Sequence, residues 1–308
     1  RSHGTHRLPL RHCTLQICFA GTTQFIQVAN WLLDPLIHYF GHSDYMLEVK
    51  ALAKLSGVKV GTIAVLQYMY ELNANNGKMC TAVLAKHNNS IIHLRNLDYD
   101  FAEMLAGMSV QLNFKKNGKS VWTAVTQAGF LGAHTGIAFG RFALNVNERD
   151  KGSMLANLWS FITGKWGVSF LVRHVLETAN TYNDAVEILK KEQLIAPTYF
   201  IISGINADEG LVITRNRANV HNIISIQDAA NDNKSYIVQT NYDREVPDPE
   251  DDYRRIPAEQ KMTALGDQLS EQQVMQTVMS QFPNLNVDTL LTSTMSASKH
   301  YLNTTIWY

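Results

Sequence analysis

The chain has few cysteines, no surplus charge of either sign and none of the common cofactor motifs. Its 308 residues include 3 cysteines, and Lys plus Arg equal Asp plus Glu at 27 each. So few cysteines exclude a dense disulfide framework, and their spacing matches no zinc site. Balanced charge gives no bulk attraction to nucleic acid, so we expect no nucleic-acid partner. Without a phosphate loop or a dinucleotide fingerprint, we expect neither a cofactor nor a metal.

The first 79 residues read as helical. The stretch from Cys18 to Gly41 is apolar, but polar residues interrupt it too often for a membrane span. Its apolar residues at helical spacing are Phe25, Val28, Ala29, Leu32 and Leu33. Two further helices are predicted from Glu48 to Leu55 and from Val60 to Leu72. The polar, glycine-containing segment from Asn73 to Lys78 is predicted to be an exposed linker.

The segment that begins at Cys80 reads as two apolar strands joined by a polar turn at Asn88 and Asn89. In such a hairpin, residues whose numbers sum to about 177 face one another. Cys80 is therefore expected near Arg95 and Asp98. A thiol beside these two groups is the arrangement of an activated nucleophile. The pairing alone favours the plainer alternative, which is a small buried cysteine and a structural Arg95–Asp98 ion pair.

The rest of the chain predicts strands alternating with a few helices. Asn117-Gly118 marks a hairpin turn, and Thr181 begins a capping box. Four glycines at intervals of three or four residues are interpreted as tight strand turns: Gly129, Gly132, Gly136 and Gly140. Predicted helices are Met154 to Ile162, Val168 to Thr178 and Gln273 to Phe282, and predicted strands are Thr198 to Ser203, Gly210 to Thr214 and Ser235 to Gln239.

Several motifs resemble one enzyme family. Cys80-Thr81 with Arg95-Asn96-Leu97-Asp98 resembles the start of the catalytic subunit of acid ceramidases and N-acylethanolamine-hydrolysing acid amidases. Other stretches resemble further motifs of the family, and they occur along this chain in the family's order. They are Asn147 to Gly152, Ala196 to Phe200, Gly210 to Arg215, Val238 to Asp243 and Asp251 to Ala258. The segment from Glu48 to Leu72 resembles the helical end of the family's smaller subunit.

The resemblance implies an N-terminal-nucleophile hydrolase of the α+β class, folded as an αββα sandwich. Such enzymes are made as precursors and cut immediately before the catalytic cysteine, here between Met79 and Cys80. Residues 1–79 would form a helical α-subunit and residues 80–308 the catalytic β-subunit of an α/β heterodimer. The freed α-amine, with an ordinary pKa of about 7.7–8.0, would serve as the local base.

The resemblance also implies six catalytic residues. They are Cys80 as nucleophile, Arg95 beside the thiolate, Asp98 on the α-amine, Glu148 as a supporting carboxylate, Asn241 as oxyanion donor through its side-chain amide and Arg254 as organiser of the site. Plainer alternatives remain for three of them: a solvated Glu148, a turn residue at Asn241 and a surface arginine at Arg254. The extra Tyr253 leaves open whether Arg254 or Arg255 occupies the site.

The implied reaction is hydrolysis of a fatty-acyl amide through a Cys80 thioester. N-acylethanolamines and ceramides both remain open as substrates. The last residues lack the cysteines that end acid ceramidases, which favours acylethanolamines. An inactive lipid-binding or structural pseudoenzyme is the third alternative, although the five residues Cys80, Arg95, Asp98, Glu148 and Asn241 are all present. His134 stands where relatives carry a bulky apolar residue, either lining the acyl channel or exposed in a turn.

Other features bear on location. Eleven histidines make the chain cationic below roughly pH 6, which would draw it to anionic lipid surfaces. The N-terminal apolar face either packs on the larger part or docks on membranes or micelles. Candidate glycosylation sequons begin at Asn88, Asn233 and Asn303. We expect a lysosomal or other acidic secretory-pathway lumen, or secretion. Cys13 and Cys18 could pair with each other, pair with another chain or stay free.

Overall fold

The structure is a computed structural model of the chain. The residues that it describes are 43–72, 80–99, 102–266 and 269–307. The chain divides into two compact units, with the boundary between Leu66 and Gln67. The predicted apolar face near Leu32, the two cysteines Cys13 and Cys18 and the predicted linker lie outside the described residues.

The described N-terminal residues are helical, as predicted. Helix α1 (Ser43–Ser56) begins earlier than expected and ends before Gly57, whose φ of 71° is the left-handed conformation that glycine adopts most readily. The second predicted helix is divided into α2 (Val60–Gln67) and α3 (Met69–Leu72). Within the described ranges, no helix combines the length and apolarity needed to cross a bilayer.

The second unit contains two antiparallel sheets and several helices. The strands are β1 (Cys80–His87), β2 (Ser90–Asp98), β3 (Ser109–Lys116), β4 (Lys119–Gln127), β5 (Thr135–Ala138), β6 (Phe142–Glu148), β7 (Thr198–Ser203), β8 (Gly210–Arg215), β9 (Val220–Ser225), β10 (Tyr236–Gln239), β11 (Thr289–Ser296) and β12 (Tyr301–Ile306). The helices are α4 (Ala102–Ala106), α5 (Met154–Ile162), α6 (Val168–Thr178), α7 (Tyr182–Lys191), α8 (Ile226–Asn231), α9 (Arg255–Leu265) and α10 (Glu271–Val274), with a 3₁₀ turn (Glu250–Asp252) and a π-helical turn (Met275–Met279).

The first sheet has the strand order β10-β1-β2-β11-β12. Its central hairpin confirms the predicted register, because Cys80 pairs with Leu97 and His87 pairs with Ser90. Asn88 in the turn has a φ of 53°, which short hairpin turns require and asparagine tolerates. The hairpin therefore places the thiol at the same end of the sheet as the C-terminal end of β2.

The second sheet contains strands β3 to β9 in chain order. The predicted Asn117-Gly118 turn joins β3 to β4, with φ values of 52° and 79°. The prediction of a turn at Gly136 is wrong, because this residue lies inside β5. A Cβ at Gly136 would lie 2.5 Å from Cδ1 of Leu176, so glycine is needed there to let α6 approach the strand.

The two sheets pack face to face and carry helices on their outer faces, which confirms the αββα sandwich. Leu84 and Tyr199 belong to one cluster of buried residues between the sheets. On the opposite face of β1, Val83 packs with Met262 of α9. The second sheet is covered by α6 and α7. Because both faces of β1 are buried, the strand reads as an apolar run rather than an alternating pattern.

The C-terminal hairpin of β11 and β12 was not predicted from the sequence. Strand β11 lies inside the first sheet, where Thr292 pairs with Asn96 of β2 and its hydroxyl donates to the Asn96 Oδ1 at 2.7 Å. The predicted helix from Gln273 to Phe282 is confirmed in position but not in its bounds. Helix α10 begins at Glu271, and a π-helical turn ends at Met279.

Candidate active site

The thiol of Cys80 lies between the two sheets. Cys80 is the first residue of β1 and is 4% exposed. The Nη2 of Arg95 lies 3.5 Å from its sulfur. Two groups of the second sheet orient this guanidinium, since it donates to the hydroxyl of Thr135 at 2.7 Å and to the carbonyl of Val146 at 3.0 Å. The predicted proximity of Arg95 to the thiol is therefore observed, and the second sheet fixes it.

Burial raises the pKa of the Cys80 thiol, and the Arg95 cation opposes part of that increase. A thiol in this state is largely protonated at neutral and acidic pH. Attack on an amide therefore requires a base that removes the proton as the sulfur reacts.

Asp98 lies on the opposite face of the first sheet, toward the helices. Its Oδ2 accepts a hydrogen bond from Nη1 of Arg254 at 3.1 Å. Arg254 also binds both carboxylate oxygens of Asp252. Arg255 pairs with Asp248 at 2.7 Å instead. Arg254 is therefore the arginine that contacts Asp98, and it is buried and not a surface arginine.

Burial raises the pKa of Asp98 to about 6, and Arg254 opposes this increase. Asn286 contributes a longer contact of 3.4 Å to the same carboxylate oxygen. The carboxyl group therefore changes its charge between acidic and neutral pH. Above this pKa it is an anion suited to bind an ammonium group, and below it the group is a neutral acid.

Asn241 makes hydrogen bonds to groups on both faces of the first sheet. Its Oδ1 accepts hydrogen bonds from the backbone nitrogen of Cys80 at 2.6 Å and from Nη2 of Arg254 at 2.9 Å. Its Nδ2 donates to the carbonyl oxygen of Glu148 at 2.7 Å. These partners fix the orientation of the amide, because only oxygen can accept and only nitrogen can donate. The amide nitrogen has a second N–H, the group that an oxyanion would need.

Glu148 lies beside Asn241 at the end of β6 and is buried, so the alternative of a solvated Glu–Arg pair is wrong. Its neighbour Arg149 pairs instead with Asp243, with contacts of 2.7 and 2.8 Å. Burial alone would raise the pKa of Asp243, but hydrogen bonds from Arg149, Lys151 and Tyr199 outweigh it and lower the pKa. This network anchors the segment that runs from Gln239 to Arg254, because Asp243 lies within that segment.

One group of side chains has metal-ligating chemistry. His221, Asp243 and Glu245 bring ligand atoms within 4.8 Å of one another. Both oxygens of Asp243 already accept hydrogen bonds from cationic side chains, Arg149 on one and Lys151 on the other. The chemistry of this cluster is therefore that of an ion-pair network.

Sequence reasoning missed the residues that position the predicted ones. Thr135 and Asp252 fix the two arginines, and Asn286 reaches Asp98 from the loop before β11. Tyr70, which precedes the predicted cleavage point, lies with its hydroxyl 2.8 Å from Thr198 Oγ1 and donates to the carbonyl of Asn147 at 3.3 Å. Asp252 and Tyr70 carried a signal, because each lies within a stretch that resembles the family. The others are isolated polar residues that the fold brings together.

His134 is half-buried, so the alternative of an exposed turn histidine is wrong. Its ring centroid lies 5.0 Å from that of Phe130 and 5.7 Å from that of Tyr70. The ring thus belongs to an aromatic group beside Thr135, the residue that orients Arg95.

Comparisons with known proteins identify the family of this chain. Residues 80–271 match the family of linear amide C–N hydrolases, choloylglycine hydrolase family. The N-acylethanolamine-hydrolyzing acid amidase of Caenorhabditis elegans is 33% identical, over 90% of this chain and 80% of that protein. The acid ceramidase of Heterocephalus glaber is 31% identical, over 92% of this chain and 74% of that protein.

A solved structure is similar as well. It is that of a Caenorhabditis elegans N-acylethanolamine-hydrolyzing acid amidase ortholog, with a TM-score of 0.64 and 32% identity. The match covers 71% of this chain and 93% of that one. The sequence identities, their coverage and the shared fold confirm the resemblance seen in the motifs. This chain is an amidohydrolase and belongs to the choloylglycine hydrolase family of linear amide C–N hydrolases.

Proposed function

We propose that the protein hydrolyses N-acylethanolamines to a free fatty acid and ethanolamine, with Cys80 as nucleophile. The observation that carries the proposal is the position of Cys80, with its thiol beside Arg95 and its backbone nitrogen on Asn241. The relatives named as N-acylethanolamine-hydrolyzing acid amidases support this substrate class. Ceramide is the second candidate, because acid ceramidases are 31% identical to this chain.

The nucleophile is prepared by self-cleavage between Met79 and Cys80. The Cys80 sulfur attacks the Met79 carbonyl carbon, the peptide C–N bond breaks, and the thiol proton moves to the departing nitrogen. Water then hydrolyses the thioester, which leaves a carboxyl group on Met79 and a free α-amine on Cys80. The hydrogen bond from the Cys80 nitrogen to Asn241 supports this step because it fixes the scissile peptide. The products remain together as an α/β heterodimer.

Amide hydrolysis then uses the same atoms. The α-amine accepts the thiol proton while the sulfur attacks the substrate carbonyl. Arg95 stabilises the thiolate, and the second N–H of Asn241 donates to the oxyanion. The tetrahedral intermediate loses its amine, which takes the proton from the α-ammonium, and water hydrolyses the acyl thioester. Asp98 and Arg254 orient the α-amine, and Glu148 supports Asn241.

A lipid substrate calls for contact with a lipid surface. Helix α5 supports this part of the proposal, because much of its apolar surface is exposed. Its exposed apolar residues are Met154, Leu155, Leu158, Trp159 and Ile162. An amphipathic helix of this kind can lie in the interface of a membrane or micelle. We propose that it docks there together with the predicted N-terminal apolar face.

The proposed location is the lysosome or another acidic lumen of the secretory pathway. The three sequon asparagines, Asn88, Asn233 and Asn303, are all exposed, which permits glycosylation.

The test is an assay of fatty-acid release from an N-acylethanolamine and from a ceramide of the same acyl chain, in mixed micelles at pH 4.5 and 7.5. Faster release from the acylethanolamine, abolished by Cys80→Ala, is the expected result. Faster release from ceramide would replace the first candidate with the second. If protein cut before Cys80 released fatty acid from neither lipid, both candidates would be wrong.

A further inference from the structure

A chain of buried polar side chains crosses the space between the two sheets. His93 on β2 bonds Ser203 Oγ through Nδ1 at 2.9 Å and Asn145 Oδ1 through Nε2 at 2.7 Å. Asn145 Nδ2 donates to Asn147 Oδ1 at 3.1 Å. Asn147 Nδ2 then donates to the backbone carbonyls of Gln239 and Thr240, at 2.9 and 3.4 Å. The four side chains are at most 1% exposed.

The backbone carbonyls at one end of this series fix the direction of every hydrogen bond in it. The Gln239 and Thr240 carbonyls can only accept, so the Asn147 amide must present its nitrogen to them and its oxygen to Asn145. Asn145 must then donate to Asn147 and accept from His93. His93 is therefore the tautomer with its proton on Nε2, and its Nδ1 accepts from the hydroxyl of Ser203.

Burial supports a single protonation state. It lowers the pKa of His93 to about 4, and the hydrogen bond to Asn145 only partly opposes this decrease. The imidazole is thus neutral at neutral and mildly acidic pH. A neutral Nε2–H tautomer is the form that the direction of the chain requires.

We propose that His93 is a positioning residue for the amidase reaction, acting through the directed chain His93–Asn145–Asn147 on the backbone that carries Asn241. This inference rests on the proposed function. The chain ends at the two carbonyls that precede Asn241, whose amide binds the Cys80 nitrogen and faces the reacting carbonyl. The same amide is aligned on its other side by the Glu148 carbonyl, one residue after Asn147.

The location of these hydrogen bonds predicts which kinetic constant should change when they are lost. His93 and Asn145 lie within the sandwich, and the groups they bond are Ser203 and Asn147. Loss of these hydrogen bonds should therefore change the transition-state geometry at Asn241 and not the binding of the substrate's acyl group. We expect kcat to fall while KM stays unchanged.

Three variants separate hydrogen bonding from packing. His93→Gln retains one donor and one acceptor, whereas His93→Phe fills the space without either. Asn145→Asp keeps the shape but removes the N–H that Asn147 requires. His87→Gln, at the opposite end of β1 from Cys80, is the matched control. The full chain is used throughout, with self-cleavage, thermal melting and fatty-acid release measured for each variant.

We expect His93→Phe and Asn145→Asp to lower kcat by about tenfold or more, with KM within about twofold of the wild type. His93→Gln should recover most of the loss. Unchanged kcat in His93→Phe, or equal losses in the Gln and Phe variants, would overturn the proposal.

The ¹⁵N spectrum of the wild-type protein gives a test that does not require any variant to fold. We expect the His93 signal of the neutral Nε2–H tautomer, and an Nδ1–H tautomer would overturn the proposal even if every variant misfolded. A wild-type protein with this tautomer but no release of fatty acid would instead contradict the proposed function, because the chain would be present without the reaction.

Discussion

The two faces of the first sheet differ at the end where Cys80 lies. The face toward the second sheet carries the thiol, Arg95 and the neutral His93. The face toward the helices carries Asp98 and Arg254 in a group of charges that includes Asp252. Because adjacent residues of a strand point to opposite faces, three positions along β2 suffice to separate Arg95 from Asp98. The strongest charge effect on the thiol pKa thus comes from Arg95, whereas Asp98 and Arg254 act on it more weakly from the other face.

Arg95→Met should have the largest effect, because it removes the cation closest to the sulfur. We expect kcat/KM to fall on the order of 10²–10³-fold, as when a preorganised charge or donor is removed from an active site. The pKa of the thiol should rise further, since burial would be less opposed. The pH dependence of Cys80 alkylation by iodoacetamide measures this rise. An unchanged alkylation profile would mean that Arg95 does not tune the thiol.

The two faces should respond to pH with opposite signs. Asp98 has a raised pKa of about 6, so between roughly pH 4 and 6 the folded protein binds more protons than the unfolded chain, and stability falls as pH rises. His93 has a lowered pKa of about 4, so from there to roughly pH 6.5 the folded protein binds fewer protons, and stability rises with pH. Each effect is on the order of 3 kcal/mol, because each shift exceeds two pKa units.

Unfolding by urea at pH 4.5, 5.5 and 6.5 tests this opposition, in a Cys80→Ala background that keeps the chain uncleaved. Asp98→Asn should make stability rise more steeply with pH than in the parent. In His93→Gln, the slope of stability against pH should be lower than in the parent. Slopes that both change in the same direction would contradict the assignment of the two groups.

Arg254→Lys should lower turnover and change the pKa of the thiol far less than Arg95→Met, because Arg254 acts on that pKa more weakly and a lysine keeps the positive charge. A lysine cannot bind Asp98, Asp252 and Asn241 together, since it lacks the planar fork of arginine. We expect kcat/KM to fall by about 10- to 100-fold, the range for losing hydrogen bonds to charged groups. Alkylation of Cys80 should stay close to its wild-type pH profile. A shift as large as that of Arg95→Met would show that the two faces are not separate.

Asn286→Ala should have the smallest effect. The contact with Asp98 is 3.4 Å long, so its loss should raise the pKa of Asp98 slightly and lower kcat/KM by about threefold. The acid limb of the pH–rate profile should move to higher pH, because the carboxylate becomes harder to form. A shift to lower pH would be inconsistent with a hydrogen bond to the charged form.

Local patterns predicted the part of the site that lies on one hairpin. The Asn88-Asn89 turn predicted the pairing of Cys80 with Leu97, and the two apolar runs predicted the strands on either side of the turn. Helices α5 and α6 were predicted with the ends that the structure shows, because capping and helical periodicity are properties of neighbouring residues.

The rest of the site depends on contacts between residues that are far apart in the sequence. Thr135 orients Arg95 and Asn286 reaches Asp98, and nothing next to either residue in the chain indicates this. Strand β11 was missed because its threonines and serines pattern as polar, although the sheet buries most of them. His93 was likewise not singled out, since one histidine on an apolar strand gives no signal until Asn145 and Ser203 are known to lie against it.

Self-cleavage tests the central assignment of Cys80 most directly. The measurement is the intact mass, with N-terminal sequencing, of the purified full chain held at pH 4.5 and pH 7.5, beside Cys80→Ala. We expect a break between Met79 and Cys80 in the wild type and an unbroken chain in the variant. A wild-type chain that stays whole under both conditions, or a variant that is cut at the same bond, would contradict the N-terminal-nucleophile mechanism.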